Sequence, residues 1–313
     1  MSSPAVLAAS RRRFRGAGRP WVPYAFVAPF VILFLTFLVA PIVVALINAL
    51  FSQKSSGLGF GGTETLFVGF DNFARAFSDT DFLVSFGRVA LFGIVQVPVM
   101  MLFALTLAML FDTAFVRAGK FFQFAVFLPY AVPGVIAALL WGFLYQPSVS
   151  PLIQGLTAIG IDINLLAPGT VLWSIANISV WSYTGINMII LFAALQSVPR
   201  EMYEAAKLDG ANDMRISVSI KLPMIAPAVL LTTLSSIIGT LQLFNEPKVL
   251  QTVSSNISSD YTPTMAIYAA STLGKDANLA SAMAVILGLA TLIVSIIVLR
   301  VSNRTTRTAT DGI

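Results

Sequence analysis

The chain has 313 residues, of which 57% are hydrophobic and only 11% are charged, and its formal net charge is +5. A soluble domain carries about a quarter charged residues, so this chain lacks the polar surface that a water-soluble fold needs. It contains no cysteine and no histidine, which excludes disulfides and catalytic thiols and removes the commonest general base. The remaining class is the integral membrane proteins.

Six runs with few or no charges follow one another along the chain, each long enough to cross about 30 Å of hydrocarbon. The third and fourth share a stretch whose only charge is Asp162, and the turn signals at 146–148 and 168–169 divide it. The predicted helices are 24–50, 89–111, 121–145, 170–196, 223–245 and 277–299. These runs predict an all-α membrane protein with six transmembrane helices and both termini on one side.

The basic residues predict which side that is. With the N-terminus in the cytoplasm, fourteen of the nineteen Lys and Arg residues fall on the cytoplasmic side. Short cytoplasmic flanks carry an excess of basic residues, so both termini are expected inside, and no nucleic-acid partner is needed to explain the net charge. The expected organisation is a basic cytoplasmic tail over 1–20, a transmembrane domain over 21–300 and a cytoplasmic tail over 301–313.

The sequence carries no recognisable catalytic motif. Neither the phosphate-binding pattern G-x-x-x-x-G-K-[ST] nor the nucleophile pattern G-x-S-x-G occurs. In the predicted spans Arg88 and Glu246 sit at helix ends, and a lack of ionisable groups near the midplane disfavours an ion-coupled secondary transporter. A membrane-embedded enzyme is disfavoured by the lack of His and Cys. We therefore expect no catalytic residue, metal or cofactor.

The loop 197–222 is the longest predicted cytoplasmic loop. Pro199 suits the first turn of a helix that would end at Gly210, and Asn212 could cap a second helix. Residues 214–222, however, alternate strictly between apolar and polar side chains, which is typical of a strand. A lone strand has no partner here, so periodicity leaves helix and strand equally open.

The same loop contains the pattern E-A-A-x3-G-x9-I-x-L-P. It resembles the hallmark of permease subunits of binding-protein-dependent ABC importers, and seven positions at fixed spacing make the match specific. The matching residues are Glu204, Ala205, Ala206, Gly210, Ile220, Leu222 and Pro223. The resemblance implies two short helices that couple the protein to a cytoplasmic ATPase, with Glu204 pairing a basic group there and Gly210 making the turn. It decides the second half of the loop in favour of a helix.

Three other segments resemble the carbohydrate and glycerol-phosphate branch of these permeases: Gly-Phe-Asp-Asn-Phe at 69–73, Leu-Pro-Tyr with Pro133 at 128–133, and Phe-Asn-Glu-Pro at 244–247. The resemblance covers roughly residues 20–300 and implies a type I ABC importer permease fold that works by alternating access. The G-G-P run that often follows helix five is missing, and the tail lacks the ending common in the second permease of a pair, which favours the first permease of a heterodimer.

This resemblance also implies the partners and the location. We expect a second permease subunit, cytoplasmic ATP-binding subunits, an extracytoplasmic solute-binding protein and a sugar as the solute. The expected location is the cell (inner) membrane of a bacterium or archaeon. An importer for amino acids or phosphate is the alternative, and a secondary transporter is a more distant one.

Polar residues on one face of helices four and five are the candidate substrate path, because polar groups in hydrocarbon face the bundle interior or a cavity. The candidates are Trp181, Thr184, Asn187, Gln242, Asn245 and Glu246. Aromatic planes with amide and carboxylate groups suit a sugar, while ordinary interhelical hydrogen bonding is an equal alternative for each residue. Pro129, Pro133 and Pro227 are expected inside helices, either as kinks near the path or as tolerated irregularities.

Overall fold

The structure is a computed structural model that describes residues 21–55, 63–112 and 118–310, with side chains placed except at 54, 55, 63 and 301–310. The predicted N-terminal tail 1–20 lies outside the described residues. The chain divides into two compact units, Met1–Ala45 and Leu46–Ile313. Helices α1 (Val22–Phe34) and α2 (Ala40–Ala49), joined by a π-helical turn over Leu35–Val39, make one apolar run of 28 residues.

In the described residues of the second unit, the regular structure is helical apart from one antiparallel hairpin, in which β1 (Phe51–Ser55) pairs with β2 (Thr63–Phe67). The helices are α3 (Asp71–Ser78), α4 (Thr80–Asp112), α5 (Gly119–Ala131), α6 (Gly134–Tyr145), α7 (Pro151–Ala158), α8 (Val171–Gln196), α9 (Arg200–Leu208), α10 (Asp213–Ile216), α11 (Leu222–Met224), α12 (Ala226–Leu241), α13 (Asn245–Leu250), α14 (Pro263–Thr272) and α15 (Ala277–Thr310). A π-helical segment over Ser217–Lys221 joins α10 to α11.

Five described segments are long and apolar enough to cross a membrane: Val22–Ala49, Thr80–Asp112, Val171–Gln196, Ala226–Leu250 and Ala277–Arg300. A sixth is the pair α5 and α6, which is bent by 94°. An all-α membrane protein is therefore confirmed, with six spans when the bent pair counts as one. Helix α15 continues through residues predicted as the tail, since it ends only at Thr310.

The prediction of one continuous helix over 121–145 is wrong, because the helix is interrupted between Ala131 and Gly134. Pro133 caps the start of α6 rather than lying inside a helix. Likewise, Pro227 stands in the first turn of α12, where its missing N–H costs nothing. Of the three prolines expected inside helices, only Pro129, in the last turn of α5, lies there.

One hydrophobic cluster of the second unit lies where α8 packs against α4, and α5 also packs against α8. Met100, Met188 and Leu191 are fully or almost fully buried there. Gly185 allows α8 to pack closely against α5, because a Cβ at that position would stand only 2.2 Å from the Val126 carbonyl oxygen. Small residues of this kind allow helix backbones in membranes to approach closely.

The Gly-Phe-Asp-Asn-Phe segment has a structural role. Asn72 is completely buried, and its amide donates to the carbonyl oxygens of Ala49 at 3.0 Å and Phe51 at 2.8 Å. Gly69 just before it has φ of +58°, a conformation that favours glycine. The segment therefore satisfies carbonyl groups where α2 ends, which a helix terminus cannot satisfy internally.

Candidate functional sites: the loop 197–222 and a cavity between the spans

Both halves of the loop 197–222 are helical, so the choice of helix over strand is confirmed. Helix α9 ends before Gly210, whose φ of +79° lies in the left-handed region. The Asn212 side chain then accepts a hydrogen bond from the Arg215 N–H at 2.8 Å and caps α10, as predicted. The turn and the cap together fix where the second helix begins.

The alternating pattern that favoured a strand has a different physical basis. Ile216 is buried, with 3% of its surface exposed, whereas Met214 and Val218 are 73% and 55% exposed. Leu208, at the end of α9, is 90% exposed. Wound into a helix, the alternation spreads apolar side chains around the surface instead of gathering them on one buried face. The loop therefore presents apolar side chains that nothing in the described chain covers.

The seven motif residues lie at the surface or close to it. Glu204, Ala205, Gly210 and Pro223 are exposed, and Ala206, Ile220 and Leu222 are half-buried. Glu204 forms no ion pair with any residue that the structure describes. Lys207, the possible partner one turn away on α9, instead approaches Asp213 at 3.5 Å.

A cavity of about 550 Å³, the loop cavity, lies between this loop and the ends of α4 and α8. Its lining residues are Phe111, Asp112, Phe192, Leu195, Gln196, Val198, Arg200, Tyr203, Glu204, Lys207, Asp213, Ile216, Ser217 and Lys221. Within it Lys221, only 8% exposed, forms a salt bridge with Asp112. Gln196 donates to the other Asp112 oxygen at 2.8 Å. Both carboxylate oxygens are thus satisfied, and the loop is tied to the end of α4.

Tyr203 completes this cluster from α9. The Lys221 Nζ lies 5.0 Å from the centre of the Tyr203 ring, close enough for a cation–π contact. The Tyr203 hydroxyl is buried and has no hydrogen-bond partner among the described residues. Burial, with a smaller contribution from the charge of Asp112, raises the pKa of Tyr203. The phenol therefore stays neutral, and within this cluster the opposite charges of Lys221 and Asp112 balance each other.

A second cavity, of about 340 Å³, lies between α4, α5, α8, α12 and α13, and we call it the interspan cavity. It is lined by Phe92, Gln96, Met100, Tyr130, Ser179, Tyr183, Ile186, Asn187, Ile190, Ser235, Ser236, Gly239, Thr240, Gln242, Leu243, Phe244, Asn245 and Glu246. The helix of the fifth span is interrupted here, between Leu241 and Asn245. Interrupted backbone at membrane depth is tolerated where it borders protein or a cavity.

The interspan cavity brings together four of the six candidate substrate-path residues: Asn187, Gln242, Asn245 and Glu246. The other two lie elsewhere. Trp181 packs edge-on against Trp141, with the ring centres 5.8 Å apart. Thr184 donates to the Val180 carbonyl of its own helix at 2.6 Å, which is the ordinary structural alternative for a polar group in a span.

Glu246 lies inside the fifth span rather than at its end, because the span continues to Leu250. It is only 5% exposed, and it forms no ion pair with any described residue. The absence of ionisable groups near the midplane stays a prediction, but the predicted helix end at Glu246 is wrong. The predicted end was too early because the helix, interrupted after Leu241, resumes at Asn245 and continues to Leu250.

Several polar groups around this cavity have only weak or local partners. Gln96 donates to the Met100 sulfur at 3.4 Å, and Thr240 donates to Gln96 at 3.3 Å. Asn187 donates to the carbonyl of Tyr183, one turn earlier in its own helix. The Ser179 hydroxyl is buried without a partner in the described part of the chain. Such groups retain hydrogen-bonding capacity for a ligand.

The sequence interpretation missed the residues that other elements contribute to this cavity. Gln96 carried a usable signal, because it is a polar amide within an uncharged run of 23 residues over 89–111. Tyr130 and Tyr183, whose ring centres lie 6.1 Å apart, carried none on their own. No group of three or more His, Cys, Asp or Glu that could hold a metal occurs in the described ranges.

Comparison with known proteins gives relatives over most of the chain. The sn-glycerol-3-phosphate transport system permease proteins UgpA of Shigella flexneri and Escherichia coli O157:H7 are each 36% identical over 222 residues, covering 71% of this chain and 72% of theirs. No protein-family model matches the chain.

Solved structures resemble it in fold. A bacterial ABC transporter that imports the acidic polysaccharide alginate superposes with a TM-score of 0.77 at 23% identity, covering 91% of this chain and 96% of that one. The alginate transporter in complex with a pentasaccharide-bound periplasmic protein gives 0.78, also at 23% identity, covering 92% and 96%. An inward-facing form of the MetNI methionine transporter gives 0.52 at 13% identity, covering 72% and 94%.

Proposed function

The chain belongs to the permease subunits of ABC importers for sugars or glycerol phosphate, and from this membership we propose how the subunit is powered. It is a multi-pass inner-membrane protein and is not itself catalytic. In the proposed mechanism the loop 197–222 docks on separate cytoplasmic ATP-binding subunits. Their closure on ATP moves this loop together with the loop of a second permease, and the pathway then opens outward to a solute-binding protein.

Uncovered apolar surface on the loop supports the docking proposal and is the observation that carries it. Leu208 at the end of α9, Met214 in α10 and Val218 in the π-helical segment are exposed. Exposed apolar groups of this kind mark interaction surfaces, because a partner that covers them removes them from water. Glu204 lies one turn before Leu208 on α9 without an ion pair to any described residue, so a basic group on the ATPase can become its partner.

The Lys221–Asp112 pair supports a route from the loop to the pathway. It joins the second half of the loop to the last residue of α4. Helix α4 also carries Phe92 and Gln96, which line the interspan cavity. A displacement of the loop therefore moves α4 and with it one wall of that cavity, and we assign the cavity to the substrate path.

The remaining assignments follow from charge and family membership. Most Lys and Arg residues lie on the side of the loop 197–222 in this topology, so we assign both termini and the tails 1–20 and 301–313 to the cytoplasm. A second permease subunit and an extracytoplasmic binding protein would complete the complex. The alginate neighbour was crystallised with its periplasmic protein, which is consistent with such an assembly.

Glu204→Arg in the reconstituted complex tests the coupling proposal. We expect normal insertion, but solute uptake reduced by about tenfold or more per ATP hydrolysed, because the reversed charge opposes its basic partner. Glu201→Arg is the matched control, as Glu201 is an exposed carboxylate on the same helix that does not line the loop cavity. Normal uptake by Glu204→Arg, or an equal loss in both variants, would falsify the assignment of Glu204.

A further inference from the structure

The interspan cavity contains one charged side chain, the carboxyl of Glu246, and no Lys or Arg among its described lining residues. We propose that this cavity accepts uncharged and amine-bearing sugars and rejects anionic solutes such as sugar acids and sugar phosphates. The proposal rests on the assignment of the cavity to the substrate path. Of the two solute classes that family membership leaves open, it selects the sugar over glycerol phosphate.

The rejection holds in either protonation state of Glu246. An ionised carboxylate repels an anion at close range in a medium of low dielectric constant. A protonated carboxyl removes the repulsion but leaves the anion desolvated with no positive partner, which is itself costly. Amide and hydroxyl donors in the lining can solvate an anion in part, but the described lining supplies no cation to balance its charge.

The basic residues nearest in the chain are held by other groups. Lys248 donates to Gln251 at 2.9 Å and lies 5.3 Å from the centre of the Tyr268 ring. Arg88 donates to the Tyr261 carbonyl at 2.7 Å and stacks on the Tyr261 ring at 4.3 Å. Neither Lys248 nor Arg88 lines the interspan cavity.

The groups that do line the cavity suit hydroxyl groups. The amides of Gln96, Asn187 and Gln242 can both donate and accept hydrogen bonds, as sugar hydroxyls require. The buried Ser179 hydroxyl has no described partner and can exchange a hydrogen bond with a ligand. Tyr130 contributes an aromatic surface. The volume of about 340 Å³ falls within the range of small-molecule pockets.

Saturation-transfer NMR on the complete importer complex in nanodiscs, without the binding protein, tests the proposal at the permease itself. The probes are glucose, glucosamine, glucuronate and sn-glycerol 3-phosphate at millimolar concentration. We expect signals from glucose and glucosamine, and binding of the two anions weaker by about tenfold or more. Glucuronate binding as strongly as glucose, or no glucose signal, overturns the proposal.

Two variants show whether this discrimination comes from the cavity. Glu246→Gln should reduce the discrimination against glucuronate, and Gln242→Lys, at an exposed cavity position, should make glucuronate the better ligand. Glu64→Gln, an exposed carboxylate on β2, is the matched control and should change nothing. Unchanged discrimination in both cavity variants overturns the proposal. Uptake of the binding protein's own ligand by the same complex is measured in parallel, since its loss in the wild type would instead refute the proposed function.

Discussion

The loop cavity and the interspan cavity each contain a buried carboxylate, but only the loop cavity supplies its counter-ion. Each Asp112 oxygen already has a partner within the chain, Lys221 for one and Gln196 for the other. Glu246, with only 5% of its surface exposed, has no ion-pair partner among the described residues. A carboxylate satisfied within the chain fixes the position of a helix end. One that is not satisfied there remains available to whatever enters the cavity.

The largest expected effect comes from breaking the paired site. Lys221→Met leaves the Asp112 carboxylate buried without its cation, which costs about 3–5 kcal/mol of stability in comparable pairs. We expect a lower thermal unfolding midpoint of the complex and loss of ATPase stimulation by the loaded binding protein.

Two comparisons isolate that effect. The double variant Asp112→Asn with Lys221→Met should recover most of the stability, because no unpaired charge remains. Lys207→Met removes a pair whose side chains are 63% and 65% exposed, so its effect should be below about 1 kcal/mol. Equal destabilisation by Lys221→Met and Lys207→Met would show that Asp112 is not held by a buried pair.

The two sites differed in how far sequence could reveal them. The motif in the loop is local, so its helices, the Gly210 turn and the Asn212 cap were predictable. The Lys221–Asp112 pair was not, because 109 residues separate its members and Lys221 occupies a variable position of the motif. Local sequence rules carry no information about a contact of this kind.

The interspan cavity shows the same limit within the membrane. Uncharged runs predicted the spans because a helix must satisfy its own backbone groups in hydrocarbon. Residues 242–244, where the helix of the fifth span is interrupted, contain no Gly or Pro that could have predicted the interruption. Prolines did mark the interruption near Ala131, but they predicted a kink rather than a bend of 94°. Residues from α4, α5 and α8 complete the cavity, and only tertiary packing determines which of them meet.

An intermediate effect is expected at Gly185, which lies on the helix that serves both cavities. A Cβ there would stand 2.2 Å from the Val126 carbonyl oxygen, so Gly185→Ala forces α8 away from α5. Overpacking of this kind costs about 1–3 kcal/mol. We expect a lower unfolding midpoint together with weaker glucose binding and weaker ATPase stimulation.

Gly87→Ala on α4 is the matched control, because a Cβ at that position would meet nothing within 4 Å. It should leave the midpoint unchanged or raise it slightly, since alanine is the better helix former. If Gly185→Ala impaired only one of the two functions, α8 would not be the element that the two cavities share.

The smallest effect separates the two sites most cleanly. Asn212→Ala removes the hydrogen bond to the Arg215 N–H that begins α10, at a cost of about 1 kcal/mol to that helix. The cap lies in the loop, and Asn212 does not line the interspan cavity. ATPase stimulation should therefore fall several-fold, and amide hydrogen exchange should accelerate within α10, while glucose binding in the NMR experiment stays unchanged. Asn212→Ser, which retains a capping oxygen, should restore stimulation. A parallel loss of glucose binding would mean that the cap also shapes the interspan cavity, and the division between a self-paired coupling site and an open solute site would then fail.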